Sequence, residues 1–150
     1  MVCETGRRTD AAAPTDWSWR GRRVLIVDGS TVTMPDTPAS QREYPQPKSQ
    51  KPGCGFPIAR IIVVFLLATG VVLDAAIGKY KGKRTGENSM FRTLHESVLA
   101  LGDVVLAHHY FSGWFDIAML QMRGASVCVR KHQLRKDDFP TGQRLGSYDH

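Results

Sequence analysis

The sequence feature that most constrains the fold is a run of four aliphatic residues, residues 24–27 (VLIV), that leads directly into Asp28. Such a run indicates a strand buried on both faces, because a strand with one solvated face would alternate apolar and polar residues. Asp28 then lies where the strand leaves the core, and a carboxylate there suits a metal ligand or a general base. Alternatively, Asp28 only opens a turn with Gly29 and Ser30.

Composition places the chain among basic globular proteins. Its 150 residues correspond to one domain, with 42% hydrophobic and 23% charged residues. A net charge of +6 favours an anionic partner, nucleic acid before an acidic membrane surface. Cys3, Cys54 and Cys128 are far apart and form no Cys-x-x-Cys pair, which is typical of reduced cytosolic thiols.

An apolar run over residues 61–73 raises the question of a membrane segment. The run is shorter than the roughly 20 residues that a spanning helix needs. Ala68-Thr69-Gly70 interrupts it, which predicts a hairpin with strands over residues 58–68 and 71–77. A small membrane protein would instead require one continuous helix there.

The remaining elements follow from periodicity and turn residues. Residues 1–16 carry no pattern and predict a flexible tail, and the Pro- and Gln-rich residues 34–57 predict a long loop. A helix is expected to begin after Asn88 or Ser89 and to end at Gly102, followed by a strand over residues 103–111. We expect a second helix over residues 113–123 and a last strand over 125–129. One face of that second helix should hold Phe115, Ala118, Met119 and Met122. This order predicts an α/β fold, a mixed sheet with helices packed on it.

Basic residues cluster in three segments. The residues expected to contact a sugar-phosphate backbone are Lys48, Lys51, Lys79, Lys81, Lys83, Arg84 and Lys131. Residues 78–86 do not match the phosphate-binding loop pattern, so only non-specific contacts are predicted for them. The alternative is that these charges simply keep the protein soluble.

In several segments the chain resembles the catalytic domain of DDE-type insertion-sequence transposases, in particular the insertion-sequence-four group. The matching segments are VLIVDGSTVTMPDT from residue 24, YPQPKSQKPGCGFP from residue 44, Gly86-Glu87, and GDVVLA from residue 102. The resemblance implies a ribonuclease-H-like mixed sheet of about five strands, with residues 17–150 forming part of the catalytic domain. It also implies DNA ends of an insertion element as the partner, a possible homo-oligomer, no membrane, and a location in the bacterial cytoplasm or nucleoid.

The family's chemistry, DNA cleavage and strand transfer, uses two Asp and one Glu that hold two divalent ions such as Mg²⁺. Asp28 matches the first carboxylate and is therefore the expected metal ligand. The second stands in a Leu-Ala-Asp-Arg-Tyr-Phe pattern, which in this chain reads Leu-Ala-His-His-Tyr-Phe from residue 106, so His108 occupies the position of that catalytic Asp. The resemblance implies that the third catalytic carboxylate, a Glu, comes after residue 150. Because imidazole is a poor Mg²⁺ ligand, the resemblance implies an inactive fragment of a transposase.

The sequence also suggests a non-catalytic function and a second kind of metal site. The chain could be a non-catalytic DNA-binding module derived from a transposase, with salt-sensitive and sequence-independent affinity. His108 and His109 also suggest zinc, but successive residues of a strand point to opposite faces, so the two imidazoles should not share an ion.

Overall fold

The chain folds around one mixed β-sheet, and the computed structural model describes residues 2–51 and 53–134. The described helices are α1 (Val2–Ala11), α2 (Pro38–Glu43), α3 (Glu87–Val98) and α4 (Trp114–Met122). The described strands are β1 (Val24–Thr33), β2 (Ile58–Leu66), β3 (Val72–Lys79), β4 (Val104–Ala107) and β5 (Ser126–Val129). The predicted α/β class with a mixed five-stranded sheet is therefore confirmed.

The sheet has the strand order β3-β2-β1-β4-β5. β1 pairs antiparallel with β2, which pairs antiparallel with β3, whereas β4 runs parallel to both β1 and β5. The hairpin predicted for residues 58–77 is thus present as β2 and β3. No helix in the described part of the chain is long and apolar enough to span a membrane.

The core lies on the face of the sheet that carries α3. Leu25 and Val27 of β1 pair with Leu66 and Val64 of β2, and all four side chains are buried. The helices close this face with Met90, Phe91, Leu94, Val98 and Leu120. Because the apolar positions of α3 recur every three or four residues, they form one stripe against the sheet.

The amino-terminal residues differ from the flexible tail predicted for residues 1–16. They form α1, and Gly6 packs so closely on β3 that an added Cβ would overlap the carbonyl oxygen of Val72. The end of α1 is held by Arg23, whose guanidinium contacts Asp10, Asp103 and the carbonyl of Val98. A pattern search for apolar periodicity misses α1 because a glycine contact and an ion pair, not an apolar stripe, fix it.

The buried face of α4 also differs from the predicted one. Asp116 and Leu120 are buried, whereas Met122 is 87% and Phe115 54% exposed. Asp116 is buried because it forms an ion pair with Arg92 of α3, at 2.6 Å. Charge pairing therefore rotates the helix away from the orientation that its apolar residues alone predict.

α3 begins and ends earlier in the sequence than predicted, and β4 is shorter than predicted. α3 begins at Glu87 after Gly86 and ends at Val98, and no side chain caps its start. The apolar pattern would have carried the helix to Leu101, but that residue is 88% exposed. β4 ends at Ala107, and residues His109–Phe111 form a 3-10 turn.

His95 of α3 is buried without a hydrogen-bond partner for either ring nitrogen among the described residues. Its ring lies edge-on to Phe91, 4.5 Å between centroids. Burial lowers the pKa of His95 from 6.5 to about 4, and the positive charges of Arg123 and Arg92 act in the same direction against Asp116. The folded protein therefore holds a neutral imidazole.

This burial predicts acid sensitivity. Since the unfolded chain binds the proton with a pKa near 6.5, the contribution of His95 is complete above that pH and is lost as the pH falls towards 4. The free energy of unfolding should fall by about 2 kcal/mol at pH 5 relative to pH 7 on this account. Urea unfolding of the wild type and of His95→Leu at pH 7 and pH 5 measures this fall in the free energy of unfolding. Equal losses in the two proteins would contradict the assignment.

Candidate nucleic-acid interface

The candidate residues gather at one edge of the sheet, which we call the carboxyl edge. β4 ends there at Ala107 and β5 at Val129, while β1 continues to Thr33 beside the start of β2. β3 also ends at this edge, with Lys79 opposite Ala59. β1 and β2 therefore extend beyond the ends of β4 and β5. We call this offset between β1 and β4 the step, and side chains of both strands are exposed there.

Asp28 and His108 lie at this step. Val27 of β1 pairs with Ala107 of β4 in the parallel register. Asp28 and His108 directly follow these two paired residues, and both are exposed. Asp28 does not open a turn, because β1 continues for five more residues, but burial along the strand stops there. Its carboxylate accepts a hydrogen bond from the backbone N–H of Gly29, at 2.9 Å, and forms no ion pair with a described residue.

The two neighbouring histidines lie close together, contrary to the expectation that they point to opposite faces. Because β4 ends before them, the alternation of a strand no longer applies, and the rings of His108 and His109 stand 3.8 Å apart. His132 lies 5.2 Å from His109. Within the described residues, nevertheless, no group of three or more His, Cys, Asp or Glu side chains could hold a metal ion.

A basic cavity lies beside these histidines. This open cavity, which we call the histidine cavity, has a volume of about 210 Å³ and is lined by His109, Arg130, Lys131, His132 and Gln133. Desolvation lowers the pKa of His109, and electrostatic interactions with His108, His132 and Arg130 lower it further. The surroundings therefore disfavour a further cation and favour an anion.

Three of the predicted phosphate-contacting residues converge although they are distant in sequence. Lys48 of the long loop meets Lys79 and Lys81 at the end of β3, around a cavity of about 230 Å³. We call these three residues the lysine cluster. Its only ion pair within the described residues is a long one, 4.0 Å between Lys79 and Glu43. The other predicted residues, Lys51, Lys83 and Arg84, are exposed on nearby loops, and Lys131 belongs to the histidine cavity.

Two side chains at this edge were not assigned from sequence. Arg60 of β2 lies between the clusters, its guanidinium 5.5 Å from the ring centre of Tyr80. Glu87, the first residue of α3, lies over Gly29: an added Cβ on that glycine would stand 2.8 Å from the carboxyl carbon of Glu87. Only the tertiary structure reveals this contact, because 58 residues of sequence separate the partners.

A hydrogen-bond network fixes the start of α3 to the turn that follows β4. The Asn88 side-chain amide donates to the carbonyl of Tyr110, at 3.1 Å, and to the carboxylate of Asp116, at 2.7 Å. Arg92 donates to the same carboxylate, at 2.8 Å. The position of the histidines relative to Glu87 is therefore held by hydrogen bonds, one of which is made to the buried carboxylate of Asp116.

Comparisons with known proteins give one distant structural match. No protein-family model matches the sequence, and no curated protein matches it. The fold is similar to part of a solved structure described as the cryo-EM structure of the piggyBac transposase synaptic complex with hairpin DNA. The match has a TM-score of 0.51 and 10% identity, and it covers 90% of this chain but 30% of the transposase chain. At this identity the similarity shows a shared fold.

The contact between Glu87 and Gly29 predicts a specific cost of adding one methyl group. Gly29→Ala should lower the free energy of unfolding by about 2 kcal/mol, because the new Cβ would also lie 2.8 Å from Ile62. Gly86→Ala is the matched control, since nothing lies within 4 Å of its added Cβ. Chemical denaturation of both variants measures the difference, and an equal effect would contradict the packing described.

Proposed function

We propose that this chain is a ribonuclease-H-like domain of the transposase type, similar to the insertion-sequence-four group, and that its carboxyl edge binds DNA. One observation carries the proposal: Asp28, the lysine cluster and the histidine cavity all come to one edge of the sheet. A carboxylate within a basic edge is one part of the arrangement that phosphoryl transfer on nucleic acid uses. The strand order, with three antiparallel strands followed by two parallel ones, supports the ribonuclease-H-like assignment.

The basic side chains supply the DNA contacts. Arg60 lies between the lysine cluster and the cavity at the start of α3, and the histidine cavity lies on the far side of Tyr110. Flexible lysines grip phosphates as point charges and carry little sequence information. We therefore infer binding to the backbone of duplex DNA, with an affinity that depends steeply on salt.

The metal that this class of enzyme uses does not fit the residues present. Hard divalent ions prefer several carboxylate oxygens, and Asp28 is accompanied by an imidazole at position 108. No group of three possible ligands exists among the residues that the structure describes. We infer that this chain binds DNA without cutting it.

Duplex binding tests the interface. Replacing Lys48, Lys79 and Lys81 together by Gln should reduce the slope of log K against log salt by about 2 to 3, because each phosphate contact contributes roughly 0.9. The matched control replaces Arg7, Arg8 and Arg20 by Gln, which removes three exposed charges at the opposite edge of the sheet. Fluorescence anisotropy over a salt series measures both. Equal slopes for the two variants would rule out the lysine cluster as the contact.

Metal binding tests the role of position 108. The wild type should show no Mg²⁺-dependent DNA cleavage, and His108→Asp should bind Mn²⁺ at least about tenfold more tightly, because a second carboxylate then stands beside Asp28. His132→Asp, which places a carboxylate elsewhere on the same edge, is the control. Isothermal titration measures the affinities. Robust cleavage by the wild type that Asp28→Ala abolishes would overturn the inference of inactivity.

A further inference from the structure

An open cavity of about 550 Å³ lies where α3 begins, lined by Arg60, Glu87, Asn88, Ser89 and Tyr110. Its volume falls within the range of small-molecule sites. Its lining combines a cation, a carboxylate, neutral polar groups and an aromatic ring. This mixture differs from the lysine cluster and the histidine cavity, which present mainly positive charge.

Glu87 is the unusual member of this lining. It is half-buried, it has no hydrogen-bond or ion-pair partner among the described residues, and the absence of a side chain at Gly29 creates its space. A carboxylate repels phosphate, so on a DNA-binding edge it weakens backbone contacts. It is, however, a strong acceptor for N–H groups, which nucleobases carry on their edges. Because successive strand residues point to opposite faces, it also lies on the other side of β1 from Asp28.

The other lining groups suit the remaining parts of a nucleotide. The ring of Tyr110 is 60% exposed and offers a surface on which a base can stack. The guanidinium of Arg60 and the free backbone N–H groups in the first turn of α3 favour a phosphate. The side-chain amide nitrogen of Asn88 donates a hydrogen bond to the backbone carbonyl oxygen of Tyr110, at 3.1 Å, and so fixes the position of that residue.

We propose that this cavity binds one unpaired nucleotide, with Glu87 selecting a base that presents N–H groups on its Watson–Crick edge. Guanine fits best, because its N1–H and its amino group can both donate to the two carboxylate oxygens, whereas thymine offers a single N–H between two carbonyls that the carboxylate repels. Tyr110 stacks on the base and Arg60 binds the phosphate. The inference rests on the proposed DNA-binding function and adds a specificity to it.

Titration of the protein with dGMP and with dTMP, followed by NMR, tests the selection. The wild type should bind dGMP about tenfold more tightly than dTMP. Glu87→Gln should reduce that ratio to about twofold or less, while Glu96→Gln, a carboxylate on the same helix with an 87% exposed side chain, should leave it unchanged. Tyr110→Leu should weaken both nucleotides alike, because stacking does not distinguish bases.

Each outcome decides one claim. An equal affinity for the two nucleotides in the wild type, or a ratio that Glu87→Gln leaves unchanged, would overturn the selection. Duplexes that end in one unpaired G or T, used in the same titration, show whether the nucleotide comes from a DNA end or free in solution. If the lysine-cluster variant binds DNA like the wild type while dGMP selection holds, the proposed DNA interface fails and the nucleotide site stands.

Discussion

The parallel pairing of β1 with β4 is the constraint on which the rest of the structure depends. Parallel neighbours cannot be joined by a tight turn, so the chain must cross from the end of β3 back to the start of β4, and α3 makes this crossing. The crossing packs the apolar stripe of α3 against β2 and β3, in the core cluster that also contains Leu25 and Val27. It also sets Ala107 beside Val27, and this register brings residues 28 and 108 to one place. Core packing and site geometry thus have one origin.

The two faces of β1 carry different side chains at the carboxyl edge. Asp28 points to one side of the strand, whereas Gly29 leaves room on the other side for Glu87. The lysine cluster and the histidine cavity add positive charge at the same edge. The hydrogen bonds of Asn88 to Tyr110 and Asp116 connect the start of α3 to the turn after β4.

Sequence reasoning predicted the elements whose formation depends on local patterns. The aliphatic run of β1, the hairpin broken at Ala68-Thr69-Gly70 and the apolar stripe of α3 are such patterns, and the structure contains all three. It failed where long-range charge pairing decides the outcome, because Arg23 fixes α1 and Arg92 determines which face of α4 is buried. Two tertiary features have no local sequence pattern that predicts them. Glu87 packs over Gly29, and Lys48 and Lys79 line the same cavity.

The exposure of Asp28 and His108 has an evolutionary consequence. Neither side chain is part of the apolar core, and neither forms an ion pair with a described residue, so the fold does not depend on their identity. Mutations at these two positions escape the selection that acts on folding and are filtered only by activity. Substitutions at such positions can accumulate over many generations in a chain that still folds and is still made.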